Sequence, residues 1–132
     1  MLIKQLFFIT MLLLPSIVAS EPSPEKLTQL LTGKWGVTTV IEGINTYSTT
    51  EFKSNHDVYF HLTLSGSDGA YNYKAHGTWR LEGKSVHMEV TFSGSKSYLH
   101  VGDKLVYNIT HIDTKILSYT DERGGKVTQK RM

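Results

Sequence analysis

Six histidines, a handful of carboxylates and a set of evenly spaced aromatic rings are the side chains of this sequence that could do chemistry. His61, His76 and His87 fall on the polar positions of three alternating segments, where a metal site would have to be assembled across neighbouring strands. Pairing those segments makes the imidazoles diagonal neighbours and not a converging trio, so solvated histidines and no metal site are expected. Asp57, Asp68, Glu82, Asp103 and Asp121 sit beside turns, where carboxylates usually serve backbone amides or water. The serines of Ser65-Gly66-Ser67 and Ser93-Gly94-Ser95 read as hairpin loops, no Gly-x-Ser-x-Gly elbow occurs, and the chain has no cysteine nucleophile. The expectation is a protein that is not an enzyme and carries no cofactor.

The aromatic residues give a stronger signal. Phe60, Tyr71, Tyr73, Trp79 and Met88 share the apolar phase of successive period-two segments, and Trp35 and Tyr107 are expected to join them. A lining of rings with a few hydroxyls is how a concave site holds an apolar guest, and Tyr71 and Tyr73 would be the polar handles. The competing possibility is a core filled by these same side chains, since a barrel of about eight strands can be just wide enough for them. Ala75 and Gly77 leave room beside the rings and tip the expectation towards a cavity.

These residues can share a wall only if the segments are strands. Val58, Phe60, Leu62 and Leu64 alternate with Tyr59, His61 and Thr63. Tyr71, Tyr73, Ala75, Gly77 and Trp79 alternate with Asn72, Lys74, His76 and Arg80, and Val86, Met88, Val90 and Phe92 with His87, Glu89 and Thr91. A two-residue turn at Glu82-Gly83 would pair Trp79 with Val86, Thr78 with His87 and His76 with Glu89, keeping each face uniform. Further strands are expected over Gly36–Glu42, Thr46–Lys53, Tyr98–Val101, Lys104–Ile112, Ile116–Thr120 and Lys126–Arg131. Some eight to nine short strands suit an antiparallel, up-and-down all-β barrel, whose closure removes aggregation-prone edges. Ahead of them Ser23-Pro24 starts a short helix, with Leu27, Leu30 and Leu31 on one face and Gly33 suited to its C-terminal end.

The first 20 residues have a different character. Lys4, the apolar run from Leu6 to Leu14, Pro15 and the small residues up to Ser20 form the three regions of a cleavable secretory signal. That apolar core is shorter than the roughly 20 residues of a membrane anchor. Removing 20 of the 132 residues leaves 112, enough for one domain, with residues 21–26 as a flexible leader and 27–132 as the barrel. The net charge of +2 includes Lys4, so the mature domain lacks the clustered cations that nucleic acid or an anionic membrane would call for. With no cysteine there is no lipid-modified thiol and no disulfide, so a soluble monomer in a periplasm or the medium is expected.

Leu31-Thr32-Gly33-Lys34-Trp35 resembles the Gly-x-Trp opening of the first strand in lipocalin-like barrels of the calycin group, and Gly77-Thr78-Trp79-Arg80-Leu81-Glu82-Gly83 is similar to a mid-barrel segment of short bacterial members. The resemblance implies that Gly33, Trp35 and Arg131 close one end of the barrel, with the Arg131 guanidinium across the indole. It also implies an exported carrier of a small apolar or amphipathic molecule. A second expectation is a filled barrel whose outer face and loops bind a protein, as exported inhibitors and immunity proteins do. The polar residues that would hold biotin in avidin-type barrels are replaced by Gly36-Val37-Thr38-Thr39.

Overall fold

The computed structural model describes residues 22–95 and 98–132. Eight antiparallel strands join in chain order into a closed barrel: β1 (Gly33–Ile41), β2 (Ile44–Phe52), β3 (Asp57–Gly66), β4 (Gly69–Glu82), β5 (Ser85–Ser93), β6 (Lys104–Ile112), β7 (Ile116–Thr120) and β8 (Lys126–Arg131). A single helix, α1 (Pro24–Leu31), precedes them among the described residues. The up-and-down barrel expected from the period-two pattern is the fold. The expected signal segment lies outside the described residues, among which no helix is long and apolar enough to cross a membrane.

Helix α1 begins where its capping chemistry places it. The Ser23 hydroxyl accepts the Lys26 N–H at 3.2 Å, Pro24 occupies a position whose N–H would have no partner, and Glu25 sits at the positive end of the dipole. Residues 24–26 are therefore helical. Leu27 and Leu31 are buried against the barrel, a gain of roughly 1.5–3 kcal/mol each.

The β4–β5 hairpin corrects the expected register. Its turn is Gly83-Lys84, because Gly83 takes the left-handed conformation (φ 60°) that the first position of a II′-type turn gives to glycine. Trp79 consequently pairs with Met88, and Arg80 with His87. The slip amounts to two residues, so inward residues stay inward. A bulge then shifts the ladder between His76 and Gly77: Gly77 faces Val90, while His76 faces Phe92 and not Glu89. The extra residue turns Phe92, expected inside, out to solvent, where its ring stacks on His76 at 4.8 Å.

The bulge depends on a missing side chain. A Cβ on Gly77 would fall on the Glu89 carbonyl oxygen, so the room expected beside Gly77 is occupied by the β5 backbone. The ninth segment, Tyr98–Val101, is a loop and not a strand. It turns back because Val90 donates its N–H to Asp103 O (2.9 Å), Gly102 donates to Val90 O (2.8 Å), and the Asp103 carboxylate accepts the His100 N–H (2.9 Å).

Burial is uneven along the barrel. Trp35 and Gly36 are buried at the start of β1, yet every residue from Thr38 to Ile41 is exposed, and Ile44 and Asn45 opposite them are exposed too. The ladder that closes the barrel is short for the same reason: β1 pairs with β8 only at Trp35↔Arg131 and Gly36↔Lys130. One end is sealed, and the other is open.

Candidate functional site

The sealed end is built around Trp35, which is fully buried and donates its indole N–H to the Leu31 carbonyl at 2.9 Å. The Arg131 guanidinium lies 4.1 Å from the Trp35 ring centroid, an arrangement worth roughly 0.5–2 kcal/mol. Its nitrogens donate to the carbonyls of Thr32 (2.9 Å), Leu30 and Thr114 (3.0 Å), tying the end of α1 to the β6–β7 turn. Gly33, at φ 135°, leaves the space that Arg131 Nη1 fills. Gly33, Trp35 and Arg131 thus meet at the base of the barrel.

Trp79 belongs to the same plug. Its indole donates to Lys53 O at 3.0 Å, its ring packs edge-on against Phe52 at 5.5 Å, and His56 covers it at 4.9 Å. Met88 pairs beside it and is buried. Of the seven residues expected to line a ligand site, Trp35, Trp79 and Met88 therefore pack the closed half, and Phe60 lies buried one step further up.

Tyr71, Tyr73 and Tyr107 have a different setting. Leu62, Leu64, Tyr71 and Tyr73 continue the inward phase of β3 and β4 upward, but burial falls off until Tyr71 is 55% exposed. There a cleft of about 460 Å³ opens among Ile44, Leu64, Tyr71, Tyr73 and the two hairpin tips at Glu42-Gly43 and Gly66–Gly69. Its apolar surface comes from Ile44 and Leu64, while Glu42, Ser67 and Asp68 make the rim polar.

Below and beside the mouth the rings continue as tyrosines. Tyr73 meets Tyr98 at 6.1 Å, and Tyr107 stacks on Tyr119 at 3.9 Å with planes 10° apart. Tyr98 and Tyr119 are not among the lining residues expected from sequence. Tyr119 carries a readable signal, its place in phase with Leu117 on β7 with Ser118 between them; Tyr98 carries none, because it reaches the barrel from a loop.

Burial away from water holds all three of Tyr98, Tyr107 and Tyr119 in the neutral form. Tyr98 is pushed up to about 12, chiefly by desolvation with the neighbouring Tyr107 adding to it. Tyr107 and Tyr119 are raised by the same cause, with Asp121 adding repulsion to both. A phenol whose folded pKa exceeds its ordinary value near 10 stabilises the fold fully below that pH and loses the contribution as pH climbs towards the folded value. Denaturant titrations should show stability falling between about pH 10 and 12, with a shallower fall in Tyr98→Phe. A Tyr98→Phe profile that coincides with wild type would remove Tyr98 from this account.

The histidines are drawn into separate partnerships. His61 Nε2 lies 3.2 Å from Asn72 Oδ1, His87 Nε2 lies 3.2 Å from Glu82, and His76 sits between Tyr59 (5.4 Å) and Phe92. Among the described residues no three of His, Asp and Glu come together as a metal site would require. The stack of Tyr59, His76 and Phe92 instead forms an aromatic file on the outer wall.

No family model matches the chain, and a search of curated proteins finds no match either. Among solved structures it is similar to a lipocalin-like protein from Bacteroides uniformis, with a TM-score of 0.53 and 16% identity over 77% of this chain and 98% of that one. A de novo designed fluorescence-activating β-barrel aligns at a TM-score of 0.42 and 13% identity, over 80% of this chain and 96% of the designed one. At these identities the likeness establishes a lipocalin-like barrel fold, which rests on the first of the two.

Proposed function

We propose that this lipocalin-like barrel is an exported binding protein that holds a small hydrophobic or amphipathic molecule. It works by burial and carries out no reaction. The observation that supports the reading best is the asymmetry of the barrel. One end is sealed by Trp35, Arg131 and α1, and the other opens into a cleft of about 460 Å³ lined by Ile44, Leu64, Tyr71 and Tyr73, the last of which meets Tyr98 of the tyrosine cluster. That volume lies in the range of small-molecule sites, and the mouths of β-barrels are favoured places for them. Export rests on the signal-like first 20 residues and on a domain that needs no thiols.

The test is displacement of a fluorescent naphthylamine probe from the purified domain. Binding should weaken by about tenfold in Leu64→Asp, which sets a charge in the apolar cleft, while the sealed end and the melting temperature stay close to wild type. Native mass spectrometry of protein taken from its own envelope should carry an adduct of lipid-like mass.

A second reading has one observation in its favour. The exposed file of Tyr59, His76 and Phe92 is a raised aromatic surface of the kind found at protein interfaces. If no apolar probe binds an intact barrel, a filled barrel that recognises a protein through this wall becomes the better account.

A further inference from the structure

Gln129 is the polar side chain that neither the closure nor the mouth explains. It lies on β8 between Val127 and Arg131 in phase, so it faces the interior, and it is 2% exposed. Its amide oxygen has no hydrogen-bond partner. A buried amide oxygen offers two lone pairs, and leaving them empty is a cost that native proteins seldom bear without a reason. Resting on the carrier reading above, we infer that Gln129 Oε1 receives a hydrogen bond from the guest. The guest is then an amphipathic molecule with an uncharged donor head, a hydroxyl or an N–H, held deep in the barrel, and an apolar tail directed to the mouth.

The neighbours of Gln129 narrow the choice of head group. A buried water needs two to four polar partners, and the side chains beside this amide on β7 and β8, Leu117 and Val127, offer none. Gln129 pairs with Leu117, and Val127 flanks it on its own strand. Arg131, the nearest inward cation on that strand, already donates to three backbone carbonyls and stacks on Trp35. Tyr119, two residues along β7 from Leu117, is engaged with Tyr107. A single acceptor in apolar company suits a donor that brings its own hydrocarbon body. It does not suit a carboxylate, which would set an anion against the amide oxygen and in the field of Asp121, already felt by the tyrosines.

The position also explains the orientation. Gln129 stands immediately above the rungs at which Trp35 and Gly36 pair with Arg131 and Lys130, where the β1–β8 ladder stops. A head placed there lies at the floor of the open half. The tail then runs past Tyr119 and Tyr73 towards Leu64 and Ile44 of the cleft.

Guests matched in length and differing in head group test this. Decanol, decyl methyl ether and decanoate differ only in whether the head donates, cannot donate, or is charged. Wild type should bind decanol at least about tenfold more tightly than the ether, and decanoate no better than the ether, in competition against the naphthylamine probe. Gln129→Met should bring the alcohol-to-ether ratio to about one and raise the melting temperature of the guest-free protein, because it removes an unsatisfied acceptor. A purely structural glutamine would lower that temperature instead. Gln129→Leu serves as the second apolar replacement. Equal binding of alcohol and ether by wild type, or an unchanged ratio in both variants, would overturn the assignment of Gln129 and leave the carrier reading standing. Failure of all three guests and of the probe would overturn both.

Discussion

Trp35→Ala should lower the stability of the barrel by about 3–5 kcal/mol, the range for truncating a fully buried large aromatic. Several losses coincide at this position. The indole surface leaves the core, the Leu31 carbonyl loses its donor, and the Arg131 guanidinium loses the ring 4.1 Å from it. Arg131 keeps its three carbonyl acceptors, so α1 should remain attached while the floor beneath it becomes a void. Urea denaturation of the purified domain gives the number directly. A cost below about 1 kcal/mol would mean that the sealed end is held by other residues.

The second large effect comes from adding a single methyl group. Gly77→Ala should destabilise by an amount at or above the upper end of the roughly 1–3 kcal/mol typical of overpacking. The new Cβ would meet the Glu89 carbonyl and the start of Val90, which are backbone and cannot rotate away. Relief would require β5 to retreat and the bulge opposite His76 to be undone, which drags Phe92 back towards the interior. Ala at Gly66, where the new Cβ would make only an ordinary contact with Ile44 at 3.7 Å and the backbone is not left-handed, is the control for glycine loss alone. If Gly77→Ala costs no more than Gly66→Ala, the close approach of β4 and β5 is not what the fold relies on.

Much of the barrel is readable because strand periodicity is insensitive to even register errors. A turn at Glu82-Gly83 in place of Gly83-Lys84 changes the partners across the β4–β5 hairpin and leaves the faces beside it correct, since the slip is even. The bulge defeats the same reasoning, because one inserted residue reverses phase, and nothing in the alternation of Val86 to Phe92 marks where it falls. Tyr98–Val101 fails for a related reason: its residues favour a strand, but carboxylate and backbone hydrogen bonds from Asp103 fold the segment back.

The site is legible in part. Trp35 and Arg131 are marked by their positions on the first and last strands, and Tyr71 and Tyr73 by their phase. Depth is what the pattern does not separate, since inward residues at the sealed end and at the mouth look alike in a period-two alternation. Trp79 and Met88 group with the lining for that reason, although they belong to the plug. Gln129 gives no signal because a lone amide on a strand of polar residues is ordinary until its burial is known.

The two-rung junction between β1 and β8 gives the molecule a directional weakness. Strands elsewhere in the wall are held by ladders of four or more rungs, whereas this one is fastened only beside Trp35, in the manner of a sleeve buttoned at the cuff. Thermal breathing should therefore begin at the rim and run down that slit, lifting the β1–β2 hairpin while the knot at its base holds. On the binding reading proposed above, a guest would leave or enter by this route, and the rate of its exchange would be set by different residues from those that set the stability of the protein.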